Sequence, residues 1–232
     1  MRVLAVDTTG AHGSVALLDG IELAGAIGIR TARPQHAERL LATVDDLLGR
    51  LSIEAAELDG FVVAVGPGSF TGLRIGISTV EGLAYALKRP VVGVSSLDAT
   101  AFRYRFHTGL IVSVIEGYRG EVYARCYASD GVDLVPGMEP VCEEPSRFVE
   151  RLEEPPAVVA GTGLGRCASR IHARFGEVVR LADASFFLAE EVARLGAGRL
   201  ARGEAAPLGG LEALYVRPSE AERTQRLGRP KC

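Results

Sequence analysis

The chain has 232 residues, 47% of them apolar and 24% charged, and a net charge of −3 from 26 basic and 29 acidic side chains. That apolar share supports a packed core and excludes wholesale disorder. The length exceeds a single domain of about 100–150 residues, and a domain that lives on nucleic acid usually carries a basic excess, which is missing here.

Asp7 leaves no room for the apolar core of a signal peptide. The longest stretch without a formal charge, 60–73, is broken by Gly and Pro and falls short of the roughly 20 residues of a membrane span. The cysteines, Cys126, Cys142, Cys167 and Cys232, form no CxxC pair, which predicts idle thiols in a reducing compartment. The expectation is a cytoplasmic protein without membrane contact.

Val3–Val6 reads as a strand stopped by the turn formers Asp7, Thr8, Thr9 and Gly10. Ser14–Leu18 and Ile21–Ile29 read as two more strands around an Asp19-Gly20 hairpin turn. From Pro34 the spacing turns helical, with Leu40, Leu41, Val44, Leu47, Leu48 and Leu51 on one face. A buried-type strand at Phe61–Val65 leads through Gly66-Pro67-Gly68-Ser69 into a helix over 71–87, capped by Ser69 or Thr71. Pro90–Val94 is a further strand, with Ser95 or Ser96 capping the next helix.

The opening then recurs. Leu110–Ile115 and Glu121–Tyr127 read as strands, Asp130-Gly131 as a turn, and Val132–Val135 as a third strand. A helix over Pro145–Leu152, a strand at Ala157–Ala160, a glycine loop at Gly161-Thr162-Gly163 and a helix over Ser185–Leu200 follow. Asp7 and Glu116 hold equivalent places in the two halves, as do the two Asp-Gly turns, so the pattern predicts a structural duplication. The expected fold is α/β: two ribonuclease-H-like lobes of the actin/sugar-kinase/Hsp70 superfamily, with a mixed five-stranded sheet in the first lobe and a reduced second lobe. The expected boundaries are 1–104, 105–218 with its C-terminal helix packing back on the first lobe, and a polar tail over 219–232.

Asp7, Thr8 and Thr9 stand where such folds place a first phosphate loop. Small residues admit phosphate oxygens to backbone amides, and a strand-end aspartate holds a metal ion through water. An Asx turn between strands is the plainer alternative. The stretch 66–76 lacks the Lys-Ser/Thr of a Walker A loop, spaces its glycines too widely for a dinucleotide fingerprint, and is no GxSxG elbow. Its helix carries Gly72, Gly76 and Gly82, each costing up to about 1 kcal/mol relative to Ala. Either close packing within the chain or the close approach of a partner helix offsets that cost. His36 has no second His or Cys at metal spacing, and His12, His107 and His172 pair with no nucleophile.

Three segments together, Leu4-Ala5-Val6-Asp7-Thr8-Thr9, Arg33-Pro34-Gln35-His36-Ala37-Glu38-Arg39-Leu40-Leu41 and the glycine-rich 66–76, resemble the TsaB (YeaZ) family of bacterial tRNA threonylcarbamoyladenosine biosynthesis proteins. The likeness runs over essentially the whole chain, to Leu214-Tyr215-Val216-Arg217. It departs at Glu116-Gly117-Tyr118-Arg119, where the family usually has an Asp-Ala-Arg-type turn, and at Thr162, where Asp is common. The resemblance implies a noncatalytic protein that activates the larger paralogue TsaD, which transfers the threonylcarbamoyl group to adenosine 37 of tRNAs reading ANN codons. It further implies a TsaE-type ATPase in a ternary complex, a homodimer when the chain is alone, tRNA reached only through the complex, and no cofactor. The implied partner surface lies on helices near 35–51 and 71–88, with His36, Leu40, Leu41, Val44, Gly72, Arg74, Ile75, Gly76 and Val80. Where the catalytic paralogue has its HxxxH metal motif, this chain has Ser96 and Thr100, which are not competent ligands for zinc or iron. One rival is a small ATPase or kinase-like protein using Asp7 and Thr8 for Mg²⁺ and phosphate. Another is a peptidase, for which the sequence offers no nucleophile–base pair and no HExxH.

Overall fold

The computed structural model describes residues 1–30, 36–176, 180–182, 187–207 and 209–216. Pro34, Ser185 and the expected tail over 219–232 lie outside the described residues, as does Arg217-Pro218. The first half consists of β1 (Arg2–Asp7), β2 (Gly13–Asp19), β3 (Glu22–Ile29), α1 (His36–Leu51), β4 (Gly60–Gly66), α2 (Phe70–Leu87), β5 (Val91–Ser95) and α3 (Ser96–Phe102). Its sheet has the order β3-β2-β1-β4-β5, with β1 antiparallel to β2 and parallel to β4. The second half consists of β6 (Gly109–Glu116), β7 (Val122–Ser129), β8 (Leu134–Pro136), β9 (Val141–Glu143), α4 (Pro145–Glu150), β10 (Val158–Ala160), α5 (Leu164–Phe175), β11 (Arg180–Ala182) and α6 (Ala189–Ala201). Its sheet runs β11-β10-β6-β7-β8, with β9 also on β7. The order of the first sheet therefore recurs, third strand to fifth, and the duplication holds.

Strand alternation sends neighbouring residues to opposite faces. Leu4, Val6, Val15, Leu17, Phe61 and Val63 join the core beneath α1 and α2, while Val3, Ala5, Leu18, Val62 and Ala64 join Val192 and Ala193 of α6. Both faces are covered, so β1 and β4 read as continuous apolar runs. The covering helices tie the halves together: α6 follows the second sheet yet packs on the first, and α3 packs both on β4 and β5 of the first sheet and on β6 and β7 of the second. Asp98 of α3 accepts hydrogen bonds from Arg125 (2.9 Å) and the Tyr127 hydroxyl (2.8 Å), both on β7. Burial, and then the adjacent Asp98, push the Tyr127 phenol far above its ordinary range, so it serves as a donor.

The second half differs from expectation in detail. Its third strand is broken into β8 and β9 where the Gly137 amide bonds to the Cys126 carbonyl (2.9 Å). The sequence reading contained no helix at α5 and no strand at β9 or β11. β8, β9, β10 and β11 have three residues each, which is the sense in which this lobe is reduced. Among the described residues, no helix is long and apolar enough to cross a membrane.

Burial pushes the Cys126 and Cys167 thiols up to about 11. Because the thiolate is the reactive species, both stay protonated at pH 8. Peptide mapping after treatment with Ellman's reagent at pH 8 is expected to find both unmodified in the folded chain and modified after unfolding in guanidinium. Rapid modification of either in the folded chain would contradict this packing.

Candidate functional site

Asp7 ends β1, and its Oδ1 accepts from both the amide (2.9 Å) and the hydroxyl (2.7 Å) of Thr9. This closes an Asx turn. The Thr8 hydroxyl donates to the Gly72 carbonyl (2.7 Å), and the Ser69 amide to the Thr9 carbonyl (2.6 Å). Ser69 caps α2 by accepting from the Gly72 amide (3.2 Å), which decides between the two expected caps.

The first turns of α2 thus lie directly on the loop after β1. A Cβ at Gly68, Gly72 or Gly76 would fall well inside van der Waals contact with the Thr9 carbonyl, the Thr8 carbonyl and the Thr8 hydroxyl. The alternatives left open for these glycines resolve toward packing within the chain. Gly72 and Gly76, both expected on a partner surface, face Thr8. Leu40, Val44 and Val80 are likewise core residues of the first lobe, at 1%, 6% and 0% exposure. Leu41 and Arg74 remain exposed and Ile75 half-buried. The side chain of His36 is outside the described set. A Cβ at Gly82 of α2 or Gly49 of α1 would meet no atom within 4 Å.

The second half presents a matching loop. Glu116 ends β6, its carboxylate pairs with Arg166 of α5, and its amide donates to the Thr162 hydroxyl (3.1 Å). Gly161, at φ +123°, sits so close to the Val114 carbonyl that no side chain fits there. The Gly163 amide donates to Val114 and the Leu164 amide to Gly161, each at 3.1 Å.

Between the Asp7 and Glu116 loops opens a cleft of about 530 Å³, at the carboxyl ends of the first strand of each sheet. That is where open α/β sheets receive ligands. Phe70, Tyr104, Ile115, Tyr118, Tyr123 and Leu188 make its walls largely apolar. Arg103 also lines it, held by both carboxylate oxygens of Glu191 (2.7 Å each) and by the Phe187 carbonyl (2.6 Å). The Thr100 hydroxyl donates to the Ser96 carbonyl (2.8 Å) and that of Ser96 to the Pro67 carbonyl (2.5 Å). No cluster of three or more His, Cys, Asp or Glu side chains suited to a metal occurs among the described residues. The sequence reading missed the aromatic walls and both arginine pairs, since their partners lie far apart in the chain and no local spacing joins them.

Gly72→Ala and Gly76→Ala are each expected to destabilise the chain by about 2–4 kcal/mol through overpacking. Gly82→Ala is expected to stabilise it by up to about 1 kcal/mol. Denaturant midpoints measure all three, and an unshifted midpoint for Gly76→Ala would contradict the contact with Thr8.

A family model described as TsaD, tRNA N6-adenosine threonylcarbamoyltransferase, matches residues 25–186. The tRNA threonylcarbamoyladenosine biosynthesis protein TsaB of Escherichia coli is 31% identical over 95% of this chain and 96% of its own length. TsaB of Bacillus subtilis is 36% identical, over 55% of this chain and 55% of that protein. YeaZ from Pseudomonas aeruginosa superposes with a TM-score of 0.75 at 32% identity, covering 92% of this chain and 99% of that one. The ethanolamine utilization protein EutJ of Carboxydothermus hydrogenoformans, at 12% identity and a TM-score of 0.50, shares the fold alone. With a relative matched over nearly its whole length and the same two-lobed structure, the chain belongs to the TsaB/YeaZ family of tRNA threonylcarbamoyladenosine biosynthesis proteins.

Proposed function

We propose that the chain is a noncatalytic partner of a TsaD-type threonylcarbamoyltransferase, bound through the outer face of α1 and α2. In that role it supports transfer of the threonylcarbamoyl group to adenosine 37 of tRNAs reading ANN codons. A TsaE-type ATPase joins the pair, tRNA is reached through the complex, and the chain self-associates over the same face when alone. The observation that carries this reading is the closure of both strand-end loops on the chain itself. The Thr9, Gly163 and Leu164 amides, and the Thr8 and Thr9 hydroxyls, already have partners within the protein. A phosphate or hydrated metal ion would have to displace those bonds, each with a net worth of about 1 kcal/mol.

The outer face of the helices contrasts with these engaged loops. Leu41 is 53% and Tyr85 73% exposed. Arg74 stacks over the Phe70 ring at 3.9 Å, and Tyr215 lies 6.0 Å from the same ring. Gly49 and Gly82 carry the helix penalty with no neighbour to offset it. Exposed apolar side chains beside bare helix glycines suit the close approach of another helix. The kinase-like reading predicts micromolar binding of Mg²⁺·ATP by the isolated chain, whereas the present one predicts no titratable heat in calorimetry.

Leu41→Asp and Gly82→Leu are each expected to weaken capture by an immobilised TsaD-type protein at least about ten-fold, while the Leu41→Asp chain melts as the parent does and the Gly82→Leu chain melts no lower. Full-strength capture of both variants would overturn the assignment of this face.

A further inference from the structure

We propose that the C-terminal segment over 206–207 and 209–215 is a third element of the partner face, beside α1 and α2, and that Glu81 is the residue that positions it. The proposal rests on the partner role above and extends the same surface.

On the face of the first sheet that these helices cover, α1 lies over β2 and β3, and α2 lies mainly over β4. Over β5 the C-terminal segment takes the place of a helix. Leu211 Cδ2 stands 3.4 Å from where a Cβ on Gly93 would lie, and Leu211 and Ala213 pack against the core beneath α1 and α2. The Ala206 amide donates to the Val91 carbonyl (2.9 Å), which covers the outer edge of β5. The Leu214 amide donates to the Val65 carbonyl at the end of β4 (2.7 Å). An extended chain sends successive side chains to opposite sides, so Glu212 and Leu214 turn away from the core, and both are exposed.

Two contacts lay the segment along α2. The Leu211 amide donates to Glu81 Oε1 (3.0 Å), and the Tyr215 ring lies 6.0 Å from that of Phe70. Phe70 and Glu81 are close to three helical turns apart and so share one side of α2. The segment therefore runs antiparallel to α2 along that side. Because β4 lies between β1 and β5, α2 is held between α1 and the segment. A partner that closes over α1 and α2 meets Glu212 and Leu214 next. Removing the Glu81 carboxylate leaves the Leu211 amide without its acceptor and frees the segment from α2.

Amide hydrogen exchange of the isolated chain and capture by an immobilised TsaD-type protein test this together. Glu81→Ala should speed exchange at the Leu211 amide, and weaken capture, each at least about five-fold. Glu81→Gln, whose side-chain oxygen still accepts, should keep both at the parent's values. Glu212→Trp, which adds bulk at an exposed position, should weaken capture at least about ten-fold while the chain melts as the parent does. Unchanged exchange or full capture with Glu81→Ala, parallel losses with Glu81→Gln, or full capture of Glu212→Trp would each overturn the proposal. If Leu41→Asp weakens capture while these variants do not, the segment's role falls and the partner role stands. A parent chain that is never captured removes both.

Discussion

The seating of Gly68, Gly72 and Gly76 against Thr8 and Thr9 is the contact on which the rest of the site depends. A helix backbone reaches the strand-end loop only because no Cβ intervenes, and the Thr8 hydroxyl fastens the contact to the Gly72 carbonyl at 2.7 Å. The helix penalty of these glycines, up to about 1 kcal/mol each, is offset where it arises, within the chain. The same contact closes the loop after β1, fixes the direction of α2, and thereby determines which residues of α2 face solvent.

A second constraint joins the halves. Because α6 returns to the first sheet and α3 packs against both sheets, each half supplies a helix to the core of the other. Asp98 and Arg103, both on or at the end of α3, then meet Arg125, Tyr127 and Glu191. Ion pairs this enclosed are weak evidence for stability, since desolvation offsets the Coulomb gain, but they favour one arrangement of the elements that carry them. The cleft walls sit on these elements. Their shape is therefore a property of both lobes together, even though the amides and hydroxyls of each loop are engaged locally.

Much of this was legible in the sequence. β1, β2, β3, α1, β4, α2 and β5 announce themselves by period, turn residues and capping serines. α5 does not, because its buried stripe is narrow: Cys167 and Ile171 are its buried residues, amid arginines, Ser169 and His172. β9 and β11 are too short for any period to register. The site was legible only in part. Asp7, Thr8 and Thr9 could be picked out by position, but the Asx turn and the bond to Gly72 are tertiary facts. Nor does sequence distinguish Gly76, pressed on Thr8, from Gly82, open to solvent, since both cost a helix the same. That ambiguity is why both readings of the helix glycines, packing within the chain and approach of a partner, stayed open in the sequence.

The central claim is that the chain serves threonylcarbamoyladenosine formation in tRNA. Deleting its gene in the host and quantifying N6-threonylcarbamoyladenosine in hydrolysed bulk tRNA tests the claim at its root. The nucleoside should fall sharply and return when the intact chain is supplied from a plasmid. A deletion strain that keeps the nucleoside at its normal level would contradict the role.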